Sequence, residues 1–426
     1  MKKTLSILLL ILTLFLSGCT LFEIGDDFGQ VNGCSDMNNC TLFSSGLLAV
    51  KKNDHYGYID TSGEIVIDYS FDYASGFYGK HAIVKSDELY YLIDKEGNFI
   101  TEGYDYLFRD KYTGMVIYSE LEKKGLMSRD GNKVIEATYD EISPSSEKLF
   151  LIRTDLKYGF IDLDGHEVIE PEYDFAASYS YGLARIRIGS KYGYINSSNT
   201  LVIDAVFDEA GDFDRYHRAI VRSGTGTSSG LLIDQNGDPV LQGELVRSEG
   251  GPFYILFPEN KLYDYQGEAF GAEANILVYY INGYYAAGQT RAVILNKDGS
   301  VYDEVYYYQQ QRRLFIMDEL EPEKIIIARI NQEESLVSFK HQGQTHDIPG
   351  NDILNAYEFY LVISRSGKGG VVDYDNNILI NFYYDTIHYT IDGYFLYEID
   401  GKYGIMDKDG NLIVNAQFDD VNPDIN

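Results

Sequence analysis

Tryptophan is absent from the 426 residues, proline occurs 8 times and cysteine 3 times. Lysine and arginine number 35 against 66 aspartates and glutamates, which leaves a formal charge of −31. The shortage of cations argues against a nucleic-acid partner, because nothing supplies the positive footprint that neutralises phosphates. It argues equally against docking on anionic lipid through a basic surface. The apolar run Leu5–Leu16, broken only by Ser6 and Thr13, is too short to cross a bilayer as a helix. What the chain does have is tyrosine (39), phenylalanine (22) and glycine (41), with 45% apolar and 24% charged residues. That is the composition of a folded, turn-rich β protein rather than a disordered one. Length alone suggests two or three ordinary domains.

The N-terminus reads as an export signal. Lys2 and Lys3 give a positive start, Leu5–Leu16 a short apolar core, and Leu16-Ser17-Gly18-Cys19 its end. This order predicts a signal peptide over residues 1–18. Its last four residues resemble the lipobox of bacterial lipoproteins, Leu-x-Gly-Cys. The resemblance implies cleavage before Cys19 and attachment of diacylglycerol, with acyl chains of the palmitate type, to its thiol. Such an anchor holds because each buried methylene contributes about 0.8 kcal/mol. The implied location is extracytoplasmic, lipid-anchored to the outer face of the cell membrane or to an outer membrane.

Residues 19–45 then read as the lipidated cysteine and a polar, flexible tether. Cys34 and Cys40 lie within it. Outside the cytoplasm a small disulfide loop is the natural reading and two free thiols the alternative, since pairing is not legible in sequence. Two cysteines without a histidine partner make no zinc site.

The remainder, residues 46–426, is one repeat. His55-Tyr56-Gly57-Tyr58-Ile59-Asp60, Lys157-Tyr158-Gly159-Phe160-Ile161-Asp162, Lys191-Tyr192-Gly193-Tyr194-Ile195-Asn196 and Lys402-Tyr403-Gly404-Ile405-Met406-Asp407 are variants of one phrase. A turn residue closes each hairpin at Gly63, Gly97, Gly131, Gly165, Asn199, Gly237, Gly267, Gly299, Gly343, Asn376 and Gly410, the first five spaced by 34. About ten residues later an aromatic-Asp pair recurs, as at Phe71-Asp72, Tyr139-Asp140, Tyr173-Asp174, Phe207-Asp208 and Phe418-Asp419. A fixed period of this size marks a repeat architecture of about eleven units.

The phrase resembles the WG-repeat family of bacteria, whose unit runs Lys-Trp-Gly-Phe-Ile-Asp, a turn, Val-Ile, Tyr-Asp, then Gly-Leu-Ala-x-Val. The likeness is strong in the first five units and the last two, and degenerate over 230–345. Tyrosine replaces the family's tryptophan at Tyr56, Tyr158, Tyr192 and Tyr403, so no property resting on indole carries over.

The unit's physics is legible on its own. Tyr-Gly-Tyr-Ile-Asp alternates by face as a short strand. Asp-x-x-Gly reverses the chain, with the carboxylate on turn amides and glycine at positive φ. The glycine after tyrosine lets a neighbouring backbone or ring approach. The Asp of the aromatic-Asp pair is expected to cap the turn that follows. Three strands per unit cannot bury an apolar face alone, so units must stack. The predicted fold is all-β: a tandem, superhelical array of about eleven ~34-residue antiparallel β-meanders, with one or two β-propellers as the alternative. The array opens on the strand Gly46–Lys51 and ends after an aromatic-Asp pair, so its ends are in phase to complete one another.

No chemistry rises above this scaffold. Asp162-Leu163-Asp164-Gly165 and Asp407-Lys408-Asp409-Gly410 offer too few oxygens for calcium, and hairpin chemistry already accounts for them. The glycine-rich stretch 223–230 lies between two strands, not before a helix, and so is no phosphate loop. The seven histidines are scattered. No catalytic residue, metal site or cofactor is expected. Tyrosine is the candidate binding residue, at Tyr279, Tyr280, Tyr284, Tyr285, Tyr306, Tyr307 and Tyr308, because the ring offers contact area and one hydroxyl. The expected function is that of a non-catalytic, surface-anchored lipoprotein whose scaffold binds an envelope or extracellular partner, protein or glycan. The competing readings are a structural spacer or accessory factor and a cryptic hydrolase.

Overall fold

The computed structural model describes residues 40–425 apart from 145, 225–228, 248–253, 258–260, 274–275, 281–282, 288–290, 297–300, 307–310, 317–324, 332–335, 342–343, 351, 357–359 and 423. Between 270 and 345 it describes the backbone alone. Every element among the described residues is a β-strand.

The strands form antiparallel sheets that follow one another along the chain. Eight are four-stranded, one is three-stranded, and one of seven strands holds two consecutive units through the shared strand Pro239–Arg247. The tandem array of about eleven units is thus what the chain builds. The fourth unit shows the plan, with strands Glu141–Ile142, Phe150–Thr154, Lys157–Ile161 and Glu167–Tyr173 in that order across the sheet. Sequence reading counts three strands. The one it misses is the two-residue strand after the aromatic-Asp pair, which stands first in the sheet and is too short to leave a period-2 signature.

Each hairpin turn is built as its residues require. Asp60 Oδ1 accepts from Ser62 N and Glu64 N at 2.9 and 3.1 Å, and Gly63 N donates to Asp60 O at 2.9 Å. Gly63 sits at φ 85°, and Asn199 and Asn376 take the same left-handed position at 58° and 66°. Asparagine tolerates that region better than other side chains.

The glycine after tyrosine has a steric cause. A Cβ on Gly57 would lie 2.5 Å from Ile67 O, and one on Gly193 2.6 Å from Ile203 O. The fourth strand crosses it there with a bulge, since Tyr56 pairs Phe71 while Tyr58 pairs Ile67.

The core is a series of seams between neighbours. Leu151, Phe160 and Ile169 of the fourth unit pack on Ala184, Ile186 and Ile195 of the fifth. Leu183, Tyr194 and Ile203 of the fifth pack on Phe213, Ala219 and Ile233 of the sixth. Polar ties run along the same seams. Asp174 accepts from Lys157 Nζ of its own unit at 2.6 Å and from Gly189 N of the next at 2.7 Å. Asp208 does the same with Lys191 Nζ and Gly224 N, both at 2.6 Å. The aromatic-Asp carboxylate therefore caps a turn fifteen or sixteen residues on, in the next unit, rather than the turn directly after it. Tyrosine hydroxyls add a further set, as Tyr194 Oη donates to Gly211 O at 2.7 Å.

The two ends of the array share a sheet. Asp420–Asn422 pairs with Leu47–Lys52 and supplies the first unit's first strand. Cys40–Thr41 pairs with Asp424–Ile425. Leu42 and Phe43 are buried with Leu396 and Phe418, and both donate backbone N–H groups to Asp392 at 2.9 Å. Asp419 meets Lys402 Nζ of the last unit and accepts from Asn53 N of the first at 2.8 Å. Its own N–H donates to Lys51 O at 2.8 Å, as Asp174 N does to Arg187 O at 3.2 Å. The closing seam therefore repeats the interior ones, as the phase of the ends anticipates.

Candidate binding surface

The recurring tyrosine faces a row that crosses each sheet. In the fourth unit the row is Glu141, Arg153, Tyr158 and Tyr173. In the fifth it is Phe175, Arg187, Tyr192 and Phe207. In the first it is Asp420, Lys51, Tyr56 and Phe71. Strand alternation puts these side chains on one face, and the repeat then places the rows side by side.

Rings of successive rows meet. Tyr56, Tyr73 and Tyr90 follow at centroid separations of 6.4 Å each, edge to face. Tyr158, Phe175 and Tyr192 follow at 5.7 and 5.9 Å. The spacing is half a repeat, because the first and third strands of each unit both contribute. Cations lie over several rings: Lys51 at 5.7 Å from Tyr56, Lys85 at 5.4 Å from Tyr90, Lys124 at 4.8 Å from Tyr106 and Arg187 at 5.9 Å from Tyr192. Tyr56 is buried and donates to Asp420 Oδ2 at 2.6 Å; burial first and that bond second push its hydroxyl well above the usual tyrosine value. Tyr73, Tyr90, Tyr158, Phe175 and Tyr192 are half-buried, each leaving part of a ring at the surface. The result is an aromatic ribbon edged with cations, a surface that offers stacking and hydrogen bonding.

The sequence-predicted tyrosines are placed by register alone. Tyr279 pairs Tyr284, Tyr280 pairs Gly283, Val278 pairs Tyr285, and Tyr306 pairs Arg291. Tyr307 and Tyr308 lie outside the described residues, as do Cys19 and Cys34, so neither the lipidation site nor a Cys34–Cys40 bond is in view. Cys40 is in the strand that joins the two ends. The ribbon itself escaped sequence reading. The signal was there, since Tyr56, Tyr73 and Tyr90 are spaced by 17, but the half-repeat is visible only once two strands of one unit are known to be neighbours.

Asp162, Asp164 and His166 come together at one exposed turn. Asp162 there already accepts from Asp164 N and His166 N at 2.9 Å and faces His166 Nδ1 at 3.2 Å. These backbone and imidazole bonds hold its carboxyl below the ordinary range against a raising effect of burial. An open cleft of 440 Å³ separates the outer strand of the first unit from the second unit, bordered by Val66, Ser70, Phe71, Glu96 and Phe99.

Six segments match the family described as WG containing repeat: residues 56–90, 125–157, 158–192, 192–224, 370–403 and 403–426. The chain therefore carries WG-type repeats in both its N-terminal and C-terminal parts. No curated protein matches it. Solved structures similar to it include a eukaryotic initiation factor, at 9% identity over 88% of this chain and 97% of that one, with a TM-score of 0.41. Hsv2 of Kluyvelomyces marxianus is similar at 6% identity over 61% and 88%, TM-score 0.27. Dihydro-heme d1 dehydrogenase NirN is similar at 11% over 76% and 78%, TM-score 0.28.

Proposed function

We propose that this chain of WG-type repeats is a non-catalytic, lipid-anchored surface protein whose array binds an envelope or extracellular partner. The observation that carries the reading is the aromatic ribbon, which repeats a half-exposed ring and a neighbouring cation from unit to unit. A repeated surface of this kind suits an extended or repetitive ligand, because each unit adds one more equivalent contact. The anchor rests on the lipobox at Cys19, and the tyrosines of the degenerate middle add further candidate contacts.

Two experiments test it. Cys19→Ser is expected to move the protein from the membrane fraction to the soluble fraction and to abolish incorporation of labelled palmitate. Retention at the membrane would sink the anchor. Purified protein is expected to pellet saturably with host cell-wall sacculi or to crosslink to one partner on intact cells. Replacing both Tyr73 and Tyr90 by Ala should weaken that binding. Binding unchanged in this variant would remove the ribbon from the reading.

A further inference from the structure

A second surface departs from the acidic average of the chain. It lies where the loop between the first two strands of the second unit meets the third unit. Tyr78 and His81 come from that loop, Arg109 from the end of the third unit's first strand, Gly114 from the loop that follows it, and Arg129 from the same unit's hairpin turn. The Arg109 guanidinium sits 5.4 Å from the Tyr78 ring centre and donates from Nη1 to Gly114 O at 3.0 Å. Arg129 Nε donates to Thr113 O at 2.6 Å, and His81 Nδ1 lies 3.2 Å from Arg129 O. Lys80 and Lys111 are exposed in the same two loops, and Tyr112 is 72% exposed with Lys111 Nζ 5.0 Å from its ring centre.

Four permanent cations and one histidine thus gather on a chain in which acids outnumber bases almost two to one. Three carboxylates border the patch against its four permanent cations, and one of them, Asp94 of the second unit's hairpin turn, is close enough to His81 to interact with it. Asp110 is buried and spent on Thr113 N and Oγ1, at 2.8 and 2.6 Å. Asp130 lies 3.8 Å from His81. The local charge is therefore positive against a negative whole. Four units later the equivalent loop carries Arg215, Tyr216, His217 and Arg218 together with Asp212 and Asp214, so it repeats the guanidinium and aromatic groups without the positive balance. There Arg218 Nε donates to Tyr265 O of the next unit's turn at 2.7 Å, and Tyr216 stacks on Tyr265 at 5.4 Å.

We infer that the patch around Lys80, Lys111, Tyr112 and Arg129 is a docking site for an acidic polysaccharide. Charge complementarity favours an anionic occupant. The chemistry of the patch then favours a glycan over an acidic protein. Guanidinium and ammonium groups match carboxylates, and exposed rings accept the C–H faces of sugars. The named patch residues offer no aliphatic centre of the kind a stable protein interface buries. The inference rests on the binding role proposed above and names the ligand class.

The test uses the full-length protein in detergent and polygalacturonate as the probe, with its carboxyl-reduced neutral form as control. Binding is expected to be saturable, weakened by salt, and absent for the neutral polymer. The double variant Lys80→Glu with Lys111→Glu changes two exposed side chains and should weaken binding by about tenfold or more. Tyr112→Ser should weaken it without altering its salt dependence. Polygalacturonate binding that is absent, matched by the neutral polymer or untouched by the charge reversals would overturn the inference. If the wild type still pellets with sacculi in that case, the general binding role stands and only the ligand class falls. If sacculi and crosslinking fail while polygalacturonate binds through Lys80 and Lys111, the ligand class stands and the proposed cell-wall partner falls.

Discussion

The second unit and the fourth differ by two features of sequence, and the difference explains the repeat. In the fourth unit Gly159 follows Tyr158, and Tyr173 comes eight positions after the turn Gly165. In the second, Tyr91 stands at the glycine position, and Tyr104 comes only seven positions after Gly97. The regular unit needs a bare backbone because its bulged fourth strand passes over it, so a Cβ on Gly159 would meet Ile169 O and Pro171 N. The second unit has no continuous fourth strand. Two isolated bridges, Ile93 with Phe99 and Tyr90 with Tyr104, stand in its place. The Tyr91 ring instead packs on Phe99 at 4.4 Å, and the glycine has moved across to Gly103, where a Cβ would lie 2.8 Å from that ring. Glycine and bulge are therefore one device, lost together. The seam tie goes with them, because Leu89 occupies the lysine position and Asp105 has no lysine to meet. Lys133 of the third unit, 3.4 Å from Glu102 and 3.3 Å from Glu120, makes a different bridge there.

Importing the second unit's residue into the fourth should do the most damage. Gly159→Tyr forces a ring into the path of the bulged strand, and a loss of about 4 kcal/mol or more is expected in denaturant unfolding. A loss under about 1 kcal/mol would show that glycine and bulge are independent. The reverse change, Tyr91→Gly, removes a half-buried ring and frees the backbone, for an expected loss of about 2–3 kcal/mol. Stabilisation would mean that the second unit is strained by its tyrosine.

The seam ties sharpen the comparison at a smaller scale. Asp174→Asn weakens a lysine contact and one backbone hydrogen bond, which should lower stability by far less than either glycine-position variant. Asp419→Asn, at the seam joining the two ends, should cost the same within error, and Asp105→Asn of the second unit close to nothing. A markedly larger loss at Asp419 would make the joined ends the weak point of the array.

The smallest effect is that of pH. Asp140, Asp174, Asp208, Asp385 and Asp419 are held below the ordinary 3.8, first by the lysine side chain and then by the backbone amide each accepts from. A carboxylate depressed in the folded state contributes stability above its unfolded value, and that contribution is lost as pH falls through the folded one. Tyrosine fluorescence should therefore report constant stability from neutrality down to about pH 5, with the decline setting in near and below 3.8. In Asp174→Asn with Asp208→Asn the decline should be shallower. An unchanged slope would mean that the ties carry none of the acid sensitivity.

Some of this was legible residue by residue. The spacing of Gly63, Gly97, Gly131, Gly165 and Asn199 gave the period, and Asp60 with Gly63 gave the turn, because a tight reversal is decided by the four residues that make it. The close approach at Gly57 was also foreseen, since only a missing side chain permits it. The reach of Asp174 to Gly189 N was not. Its partner lies fifteen residues away in another unit, and a carboxylate looks the same in sequence whether it caps its own turn or a neighbour's. The ribbon Tyr56–Tyr73–Tyr90 and the patch around Lys111 were missed for the same reason, as both are assembled from loops and strands of adjacent units.

By itself, then, the sequence determined the unit: its length, its hairpin turn, the alternation of its faces and the number of its copies. These rest on local sterics and hydrogen bonds within a few residues. The sequence also put the two ends in phase and required the units to stack; the tertiary structure alone decided which carboxylate reaches which turn of the next unit, and which rings and cations come together at the surface. Those outcomes depend on how one unit's apolar face meets the next, and that is a matter of distance in space rather than along the chain.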